Sequence, residues 1–233
     1  MFGQYDNICI KGVAAVAPED IIENMEFAEQ IGNRRAKKQV KLTGISKRHV
    51  VVEGQSASDM CCQAAEKLFT KLDWERDSIR VLVFVTQSED VKTPSTAMII
   101  QKRLGIGQDC LAFDVNLGCS GYVSGLQIVS ALLNNTGGRA LLLCGDGKYY
   151  NVRKNTSTDA MLFGDAGTAT AIELEPGYPL LYSQKTDGTR HKMLTMSLDG
   201  QMTMDGNGVL LFSLNEVVDS IKAVSYTHLT LPT

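Results

Sequence analysis

The residue in this sequence whose type and position best suit covalent chemistry is a cysteine, Cys119. The segment before it, CLAFDVN at 110–116, is predicted to be a strand that ends in polar residues. The segment after it is predicted to be a helix buried nearly all round, because its apolar residues cover most of the circumference: Val123, Leu126, Ile128, Val129, Leu132 and Leu133. At the N-terminus of such a helix, unpaired N–H groups and the helix dipole stabilise a thiolate, the nucleophilic form of cysteine. The alternative interpretation is a buried structural thiol, which is common for a cysteine among apolar residues.

The elements that must position Cys119 are predicted units of a helix followed by a buried strand. The units are, in chain order, a helix from Ser56 with a strand from Arg80, 94–104 with 110–116, and 120–133 with 140–146. Strands that are apolar throughout are typical of a sheet covered on both faces, and helix–strand alternation indicates parallel strands. The sequence therefore predicts an α/β fold with a largely parallel, fully covered sheet.

The N-terminal part of the chain precedes these units. Residues 7–17 are predicted to form a buried strand, and a helix is predicted from Pro18 to Gly32, because proline and acidic residues favour a helix start. A basic run, NRRAKKQVK at 33–41, follows and is interpreted as a solvated surface loop.

Five segments together resemble a known family. The run NLGCSGY around Cys119 resembles the nucleophile region of the β-ketoacyl-acyl-carrier-protein synthase III family of thiolase-like condensing enzymes, whose members carry a similar Cys-x-Gly-aromatic. Four other segments are similar to family motifs in the same order: TGISKRH at 43–49, PSTAMIIQKRLG at 94–105, LFGDAGTATA at 162–171 and MDGNGV at 204–209. Each alone is a weak signal, but five in the right order make a specific match.

The resemblance implies a thiolase-like αβαβα layered fold, with a complete N-terminal half and a C-terminal half that is only begun. It implies an acyltransferase of fatty-acid or related biosynthesis that uses acyl-coenzyme A and malonyl-acyl-carrier protein. The Cys119 thiol takes the acyl group, and malonyl-acyl-carrier protein then loses carbon dioxide and attacks the acyl-cysteine to give 3-oxoacyl-carrier protein. Cys119 is assigned as catalytic, and Gly206, Asn207 and Arg48 as substrate-binding. A homodimer that pairs through the strand before Cys119 is also implied, with no cofactor and no metal.

Several positions differ from the family pattern. A tryptophan and an arginine that often flank the nucleotide are Lys38 and Leu42 here, and an arginine six residues before Phe-Gly-Asp is Ser157, so nucleotide contacts are not expected at these positions. The aromatic residue before Pro-Ser that gates the acyl pocket is Thr93, which indicates more room. The alternative interpretation of the basic run 33–41 is an attraction for coenzyme A phosphates or an acidic carrier protein.

Condensation in this family needs more than a cysteine. Negative charge that develops on the malonyl thioester oxygen is stabilised by a His and an Asn, and the His lies in a Pro-His-Gln-Ala-Asn-like motif. Neither motif is present in these 233 residues. The three histidines, His49, His191 and His228, match none of it and are interpreted as surface or loop residues. The chain as given is therefore expected to be inactive in condensation.

The domain organisation follows from the same resemblance. Residues 1–175 are predicted to form the N-terminal half that carries the nucleophile, and 176–224 the start of the C-terminal half. The segment 225–233 has no helix cap and no continuing strand where a complete relative would run on through about a hundred further residues. The sequence therefore predicts a truncated or spliced reading frame with a foreign tail.

Composition excludes some partners. The net charge of −3 gives no basic footprint for nucleic acid. No apolar run approaches the ~20 residues of a membrane span, and the N-terminus lacks a signal-peptide pattern, so a cytoplasmic protein is expected. The cysteines show no C-x-x-C pair, so neither a disulfide framework nor a zinc site is predicted.

Other functions fit the sequence less well or stay open. A nucleophile-elbow hydrolase needs G-x-C-x-G, but position 117 is Leu. A related thiolase-like synthase, making hydroxymethylglutaryl-coenzyme A or a polyketide starter, stays open. A non-condensing fragment that binds acyl thioesters is the non-enzymatic alternative.

Overall fold

The computed structural model describes residues 1–30, 34–147, 161–177, 179–197 and 202–229. The chain divides into two compact units. The larger is Asn7–Gly177, and the smaller combines Met1–Asp6 with Tyr178–Thr233. The predicted domain limits 1–175 and 176–224 stay a prediction.

The secondary structure follows the predicted alternation closely around Cys119. The strands are β1 (Phe2–Tyr5), β2 (Ile8–Val16), β3 (Ile21–Glu23), β4 (Lys47–His49), β5 (Ile79–Val85), β6 (Leu111–Val115), β7 (Arg139–Asp146), β8 (Ala166–Leu174), β9 (Leu180–Ser183), β10 (Leu194–Met196) and β11 (Met202–Met204). The α-helices are α1 (Asn24–Gln30), α2 (Arg34–Thr43), α3 (Ala57–Leu72), α4 (Thr96–Arg103), α5 (Gly121–Thr136), α6 (Gly206–Phe212) and α7 (Val218–Leu229). The predicted helix start at Ser56 is confirmed, because its side chain accepts a hydrogen bond from the Asp59 N–H and Asp59 bonds back to the Ser56 N–H.

The larger unit is built on a five-stranded sheet in the order β2-β8-β7-β5-β6. Strand β5 runs parallel to β6 and β7, whereas β8 runs antiparallel to β7 and β2. The predicted largely parallel sheet is confirmed for four of its five strands, since β2, β7, β5 and β6 run in one direction. Strand β8 runs in the opposite direction, so the sheet is mixed. The connection from β7 to β8 begins and ends at one sheet edge, since Asp146 pairs with Ala166. An apolar run reads the same in either strand direction, so the sequence alone could not reveal this reversal.

One face of the sheet is covered by α3 and α4. Their buried side chains pack with alternate residues of the central strands, including Phe84, Leu143 and Ala171. Helix α3 approaches most closely where Gly145 of β7 pairs with Gly167 of β8. A Cβ on Gly145 would lie 2.9 Å from the Cys61 sulfur, so the two glycines permit this close contact.

The other face is covered by α5, again through glycines. A Cβ on Gly121 would lie 2.4 Å from Val85 Cγ1, and a Cβ on Gly125 would lie 2.6 Å from Leu142 Cδ1. The prediction that α5 is buried all round is wrong, because Val123 is 54% exposed. Only the stripe that faces the sheet is covered by the described residues, and apolar periodicity cannot distinguish one covering layer from two.

The N-terminal elements also differ from the sequence prediction. The strand predicted to be buried is β2, which lies at the edge of the sheet. Ile8 in this strand is buried, but Val13 is 59% exposed, so the prediction of a buried strand is wrong. The helix predicted from Pro18 begins only at Asn24, because the short strand β3 precedes it and pairs with β4. The basic run predicted as a loop forms helix α2, which buries Ala36 and Val40.

The smaller unit contains two antiparallel pairs, β1 with β9 and β10 with β11. The last described part of the chain forms α6 and α7, joined by a π-helical turn at Ser213–Val217. Helix α7 runs to Leu229 and so includes part of the predicted foreign tail 225–233, whose origin stays a prediction. None of the described helices combines the length and apolar character that crossing a bilayer requires.

Candidate active site

The candidate site lies at the end of the mixed sheet where the parallel strands terminate, here called the carboxyl edge. The carboxyl ends of the parallel strands β7, β5 and β6 lie side by side there, at Asp146, Val85 and Val115. Ligands of α/β sheets bind outside the carboxyl ends of the strands. The segment that carries Cys119 leaves β6 at this edge and enters α5.

A tight turn presents Cys119 at the start of α5. The Leu117 N–H donates to the Val115 carbonyl over 3.0 Å, and the Gly121 N–H donates to the Gly118 carbonyl over 2.8 Å. Ser120, at the cap position, makes no side-chain hydrogen bond to the helix. The first turn of α5 therefore has no side-chain cap, which leaves donors for an anionic group beside the thiol. The alternative of a buried structural thiol is wrong, because Cys119 is exposed.

The other cysteines lie in environments that disfavour a thiolate. Burial raises the pKa of the Cys62 and Cys110 thiols to about 11, and that of Cys144 to about 12. Burial also raises the pKa of Cys61 strongly, and the pKa of Cys9 is raised by partial burial and by the neighbouring Glu175. Of the six cysteines, all within the described residues, Cys119 alone is exposed.

This contrast predicts selective alkylation. At pH 8 a thiol with a pKa of about 11 is thiolate in roughly one molecule per thousand. We therefore expect iodoacetamide to modify Cys119 first, with Cys62, Cys110 and Cys144 at least about tenfold slower. Peptide mass spectrometry over a time course measures the order in which the cysteines are alkylated. Unfolding in guanidinium should make the alkylation rates of all six cysteines similar. Modification of Cys110 ahead of Cys119 would contradict the prediction.

The carboxylate of Asp146, at the end of β7, binds the segment that follows β5. Asp146 Oδ1 accepts hydrogen bonds from the Gln87 N–H at 2.8 Å, the Ser88 hydroxyl at 3.0 Å and the Thr86 hydroxyl at 3.2 Å. The Ser88 hydroxyl oxygen also accepts from the Gly147 N–H at 3.0 Å. These bonds fix the segment after β5 against β7, next to the Cys119 turn.

A second carboxylate, that of Asp114, fixes the start of helix α4. Asp114, on β6, accepts hydrogen bonds from the N–H groups of Thr96 and Ala97, both at 2.7 Å. These are donors of the first turn of α4, whose cap residue Ser95 makes no side-chain hydrogen bond. Asp114 therefore caps α4 from a neighbouring strand, and a negative charge is favourable at this helix terminus.

Arg48, predicted to bind substrate, is buried at 4% exposure. Its Nε donates to Asn24 Oδ1 over 2.6 Å, and its Nη1 donates to the Phe163 carbonyl over 3.0 Å. The guanidinium also lies 5.6 Å from the centre of the Phe27 ring. These contacts tie β4 to α1 and to the segment before β8, and the substrate-binding assignment stays a prediction.

Asp165, in the family-like segment 162–171, makes contacts within the fold. Its Oδ2 accepts from the Val51 N–H, and its own N–H donates to the His49 carbonyl, both at 2.9 Å. The exposed ring of His49 lies with Nδ1 2.6 Å from the Pro18 carbonyl oxygen, to which it donates. Both residues thus link neighbouring segments.

The remaining predicted contacts lie elsewhere in the chain. Gly206 and Asn207 are exposed in the first turn of α6, which belongs to the smaller unit, so a common site with Cys119 stays a prediction. Lys38 and Leu42 are exposed on α2, and Thr93 is exposed before α4. The fourth position that differs from the family pattern, Ser157, lies outside the described residues.

Sequence reasoning missed three residues at this edge: Gln87, Asp114 and Asp146. Each occupies the end of a predicted strand, and polar residues at the carboxyl ends of parallel strands are the signal that could have found them. No group of three or more His, Cys, Asp or Glu that could hold a metal occurs among the residues that the structure describes.

Comparison with known proteins gives the family. The family profile described as 3-Oxoacyl-[acyl-carrier-protein (ACP)] synthase III matches residues 113–188. The chain is 30% identical over 229 residues to beta-ketoacyl-[acyl-carrier-protein] synthase III of Staphylococcus aureus, covering 96% of this chain and 72% of the relative. It is 27% identical over 233 residues to the protein of the same name from Neisseria meningitidis serogroup B, covering 94% and 72%.

Solved structures agree in fold. The crystal structure of 3-oxoacyl-(acyl-carrier protein) synthase from Burkholderia xenovorans LB400 superposes with a TM-score of 0.90 at 29% identity, covering 97% of this chain and 71% of that one. Xanthomonas campestris OleA superposes with a TM-score of 0.84 at 22% identity, which supports the thiolase-like fold alone. The relatives indicate an enzyme of the condensing, acyltransferase type. With its mixed α/β sheet, its cysteine at the head of α5 and these relatives, the chain belongs to the 3-oxoacyl-[acyl-carrier-protein] synthase III family.

Proposed function

We propose that Cys119 accepts an acyl group from acyl-coenzyme A. The observation that carries the proposal is the exposed thiol in the turn before α5, at the carboxyl edge of the sheet. In the proposed step the thiolate attacks the thioester carbonyl, the carbon–sulfur bond to coenzyme A breaks, and the coenzyme A thiolate leaves and takes up a proton. An acyl-cysteine remains.

The uncapped first turn of α5 supports this step. Attack places negative charge on the carbonyl oxygen, and backbone N–H groups aimed at that charge lower the barrier. The turn is held from two sides, by the Gly118–Gly121 hydrogen bond and by the packing of Gly121 against Val85. A rigid turn keeps the thiol and the N–H groups in one geometry, which favours attack.

In the complete reaction of the proposal, malonyl-acyl-carrier protein loses carbon dioxide. The resulting carbanion attacks the acyl-cysteine carbonyl, forms a carbon–carbon bond, and releases the Cys119 thiolate with 3-oxoacyl-carrier protein. The His and Asn motifs that stabilise the carbanion do not occur in these 233 residues. Each missing donor lowers the rate by on the order of 10²–10³.

We therefore expect a polypeptide of this sequence to be acylated but not to condense. Incubation with acetyl-coenzyme A should place one acyl group on Cys119 and release coenzyme A. Addition of carboxyl-labelled malonyl-acyl-carrier protein should release no carbon dioxide above background. The Staphylococcus aureus relative, assayed alongside, is the positive control. Release at the rate of that relative would contradict the prediction and direct attention to His49, His191 and His228.

The same assay separates the alternatives. A non-condensing acyl-binding protein would bind acyl-coenzyme A without a covalent adduct at Cys119. A hydroxymethylglutaryl-coenzyme A type synthase would transfer the acetyl group to acetoacetyl-coenzyme A without any carbon dioxide release. Acylation of Cys119 with neither transfer supports the proposal for this chain.

A homodimer through β6 is part of the proposal. In the described sheet β6 pairs with β5 alone, and Leu111 on this edge strand is 48% exposed. An edge strand with free N–H and C=O groups is able to pair with a second copy. We expect a dimer at micromolar concentration in sedimentation equilibrium, and Leu111→Lys should weaken it. A monomer for the unchanged chain would contradict the prediction.

A further inference from the structure

Gln87 lies beside the turn that carries Cys119. A Cβ placed on Gly118 would lie 3.0 Å from Gln87 Oε1, 3.3 Å from Cδ and 3.4 Å from Nε2. The whole carboxamide therefore occupies the space that a side chain at position 118 would need. Gly118 does not have a positive φ, so its backbone conformation does not require glycine. The approach of Gln87 leaves little room at this position, so a side chain there would displace the carboxamide.

The backbone of Gln87 is anchored on both sides. Its N–H donates to Asp146 on β7 at 2.8 Å. The preceding residue, Thr86, donates its N–H to the Val115 carbonyl on β6 at 3.2 Å. The residue that follows, Ser88, is held by the same Asp146. The side chain of Gln87 therefore starts from a fixed point at the sheet edge, although it is itself exposed.

Gly118 in turn is coupled to the nucleophile. It directly precedes Cys119, and its carbonyl accepts the hydrogen bond from the Gly121 N–H that closes the turn. A shift of Gly118 would move the thiol relative to the first N–H groups of α5. A misplacement of about 1 Å in such a site lowers a reaction rate by up to about 10²-fold.

We infer that Gln87 is a positioning residue for Cys119: its backbone is held by Asp146, and its carboxamide packs on Gly118 and holds the Cys119 turn in its reactive geometry. The inference deepens the proposed function and rests on it for the acyl group. It is independent of that function for the reactivity of the thiol itself.

The test measures alkylation of Cys119 by iodoacetamide as a function of pH. Gln87→Ala removes the carboxamide and should slow alkylation about tenfold at every pH. Gln87→Glu keeps the shape and adds a negative charge, which disfavours a nearby thiolate. The maximal rate of this variant should be close to that of the unchanged protein, but its curve should move to higher pH.

The charges around Gln87 make this displacement interpretable. Among the described residues, the carboxylates at this edge are Asp146 on β7, Asp114 on β6, and Glu89 and Asp90 in the segment after Gln87. Helix α5, Gly121–Thr136, contains no charged residue. All four carboxylates are present in each variant, so a displaced curve reports the added charge at position 87.

Gln63→Ala, which changes an exposed glutamine on α3, is the matched control and should leave the alkylation curve unchanged. The inference is overturned if Gln87→Ala reacts like the unchanged protein, or if the Gln87→Glu curve overlays that of the unchanged protein. A purely structural role would lower the melting temperature of Gln87→Ala without displacing the Gln87→Glu curve.

Parallel acylation with acetyl-coenzyme A distinguishes failure of the proposed function from failure of the inference about Gln87. Failure of the proposed function appears as no acyl group on Cys119 in the unchanged protein, while alkylation still depends on Gln87. Failure of the inference appears as normal acylation and alkylation in both Gln87 variants.

Discussion

Substitution of Cys119 by alanine should abolish acyl transfer from acyl-coenzyme A. The expected loss is on the order of 10⁴-fold or more, because removal of a nucleophile removes the covalent step and not one of several stabilising contacts. Cys119→Ser should lose nearly as much, since a serine hydroxyl is a weak nucleophile without a general base. Quenched-flow mass spectrometry of the acyl-protein measures the rate.

The same change should leave the fold intact. Cys119 is exposed, and substitutions at exposed positions usually change the free energy of unfolding by less than about 0.5 kcal/mol. Cys110→Ser is a matched control, because the Cys110 thiol is half-buried with its pKa raised to about 11. The control should retain acyl transfer within about twofold of the unchanged protein. An acyl group still found on the Cys119→Ala protein at the original rate would remove Cys119 from the mechanism.

Gly167→Ala should be the most destabilising single-methyl substitution in the larger unit. The added Cβ would lie 2.6 Å from the Cys61 backbone nitrogen, 2.6 Å from Met60 Cβ and 2.8 Å from the Met60 carbonyl carbon. These atoms belong to the backbone and first side-chain carbon of α3, so no flexible side chain is able to move aside. Helix α3 would have to shift away from the sheet, and we expect a cost of about 3 kcal/mol.

Thermal unfolding followed by circular dichroism measures this effect. A loss of about 3 kcal/mol corresponds to a fall of roughly 6–12 °C in the melting temperature for a domain of this size. Gly177→Ala is the matched control in the same unit, because a Cβ there would meet only the Glu175 carbonyl oxygen at 3.8 Å. The control should melt within about 2 °C of the unchanged protein. Equal melting temperatures for the two variants would show that α3 does not pack against β8 at Gly167.

Both predictions concern the layers that enclose the Cys119 turn. Helix α5 lies on one sheet face through Gly121 and Gly125, and α3 lies on the other through Gly145 and Gly167. Close packing on both faces fixes the strands whose ends carry Asp146 and Cys119. The site therefore depends on contacts far from the thiol. For this reason Gly167→Ala, which affects stability, and Cys119→Ala, which affects chemistry, both test the packing of helices on this sheet.

The sequence by itself determined the local elements and the candidate nucleophile, Cys119. The boundaries of α3, β5, α4, β6, α5 and β7 agree with the predicted units to within a few residues. Capping residues, apolar periodicity and glycines act between near neighbours in the chain, so they are legible without a structure. The position of Cys119 between a strand and a helix depended only on such signals.

The sequence identified some candidate site residues, but it did not reveal the contacts that their side chains make. Arg48 belongs to a family-like motif, and the sequence suggested a substrate contact, yet its guanidinium is buried against Asn24 and Phe163. Whether a charged side chain faces a ligand or a neighbouring segment depends on distant partners, which for Arg48 are 24 and 115 positions away in the chain. No local pattern encodes that distance.

Only the tertiary structure decided the strand order and the surroundings of Cys119. It placed β8 antiparallel beside β7, left one side of α5 exposed, and brought Asp146 to the segment after β5. It also placed Asp114 at the first turn of α4 and Gln87 over Gly118. These outcomes depend on which distant strands and helices pack together, and many pairings satisfy the same apolar patterns. The physical reason is that burial and hydrogen bonding are satisfied over the whole fold at once, whereas the sequence displays only what each segment favours alone.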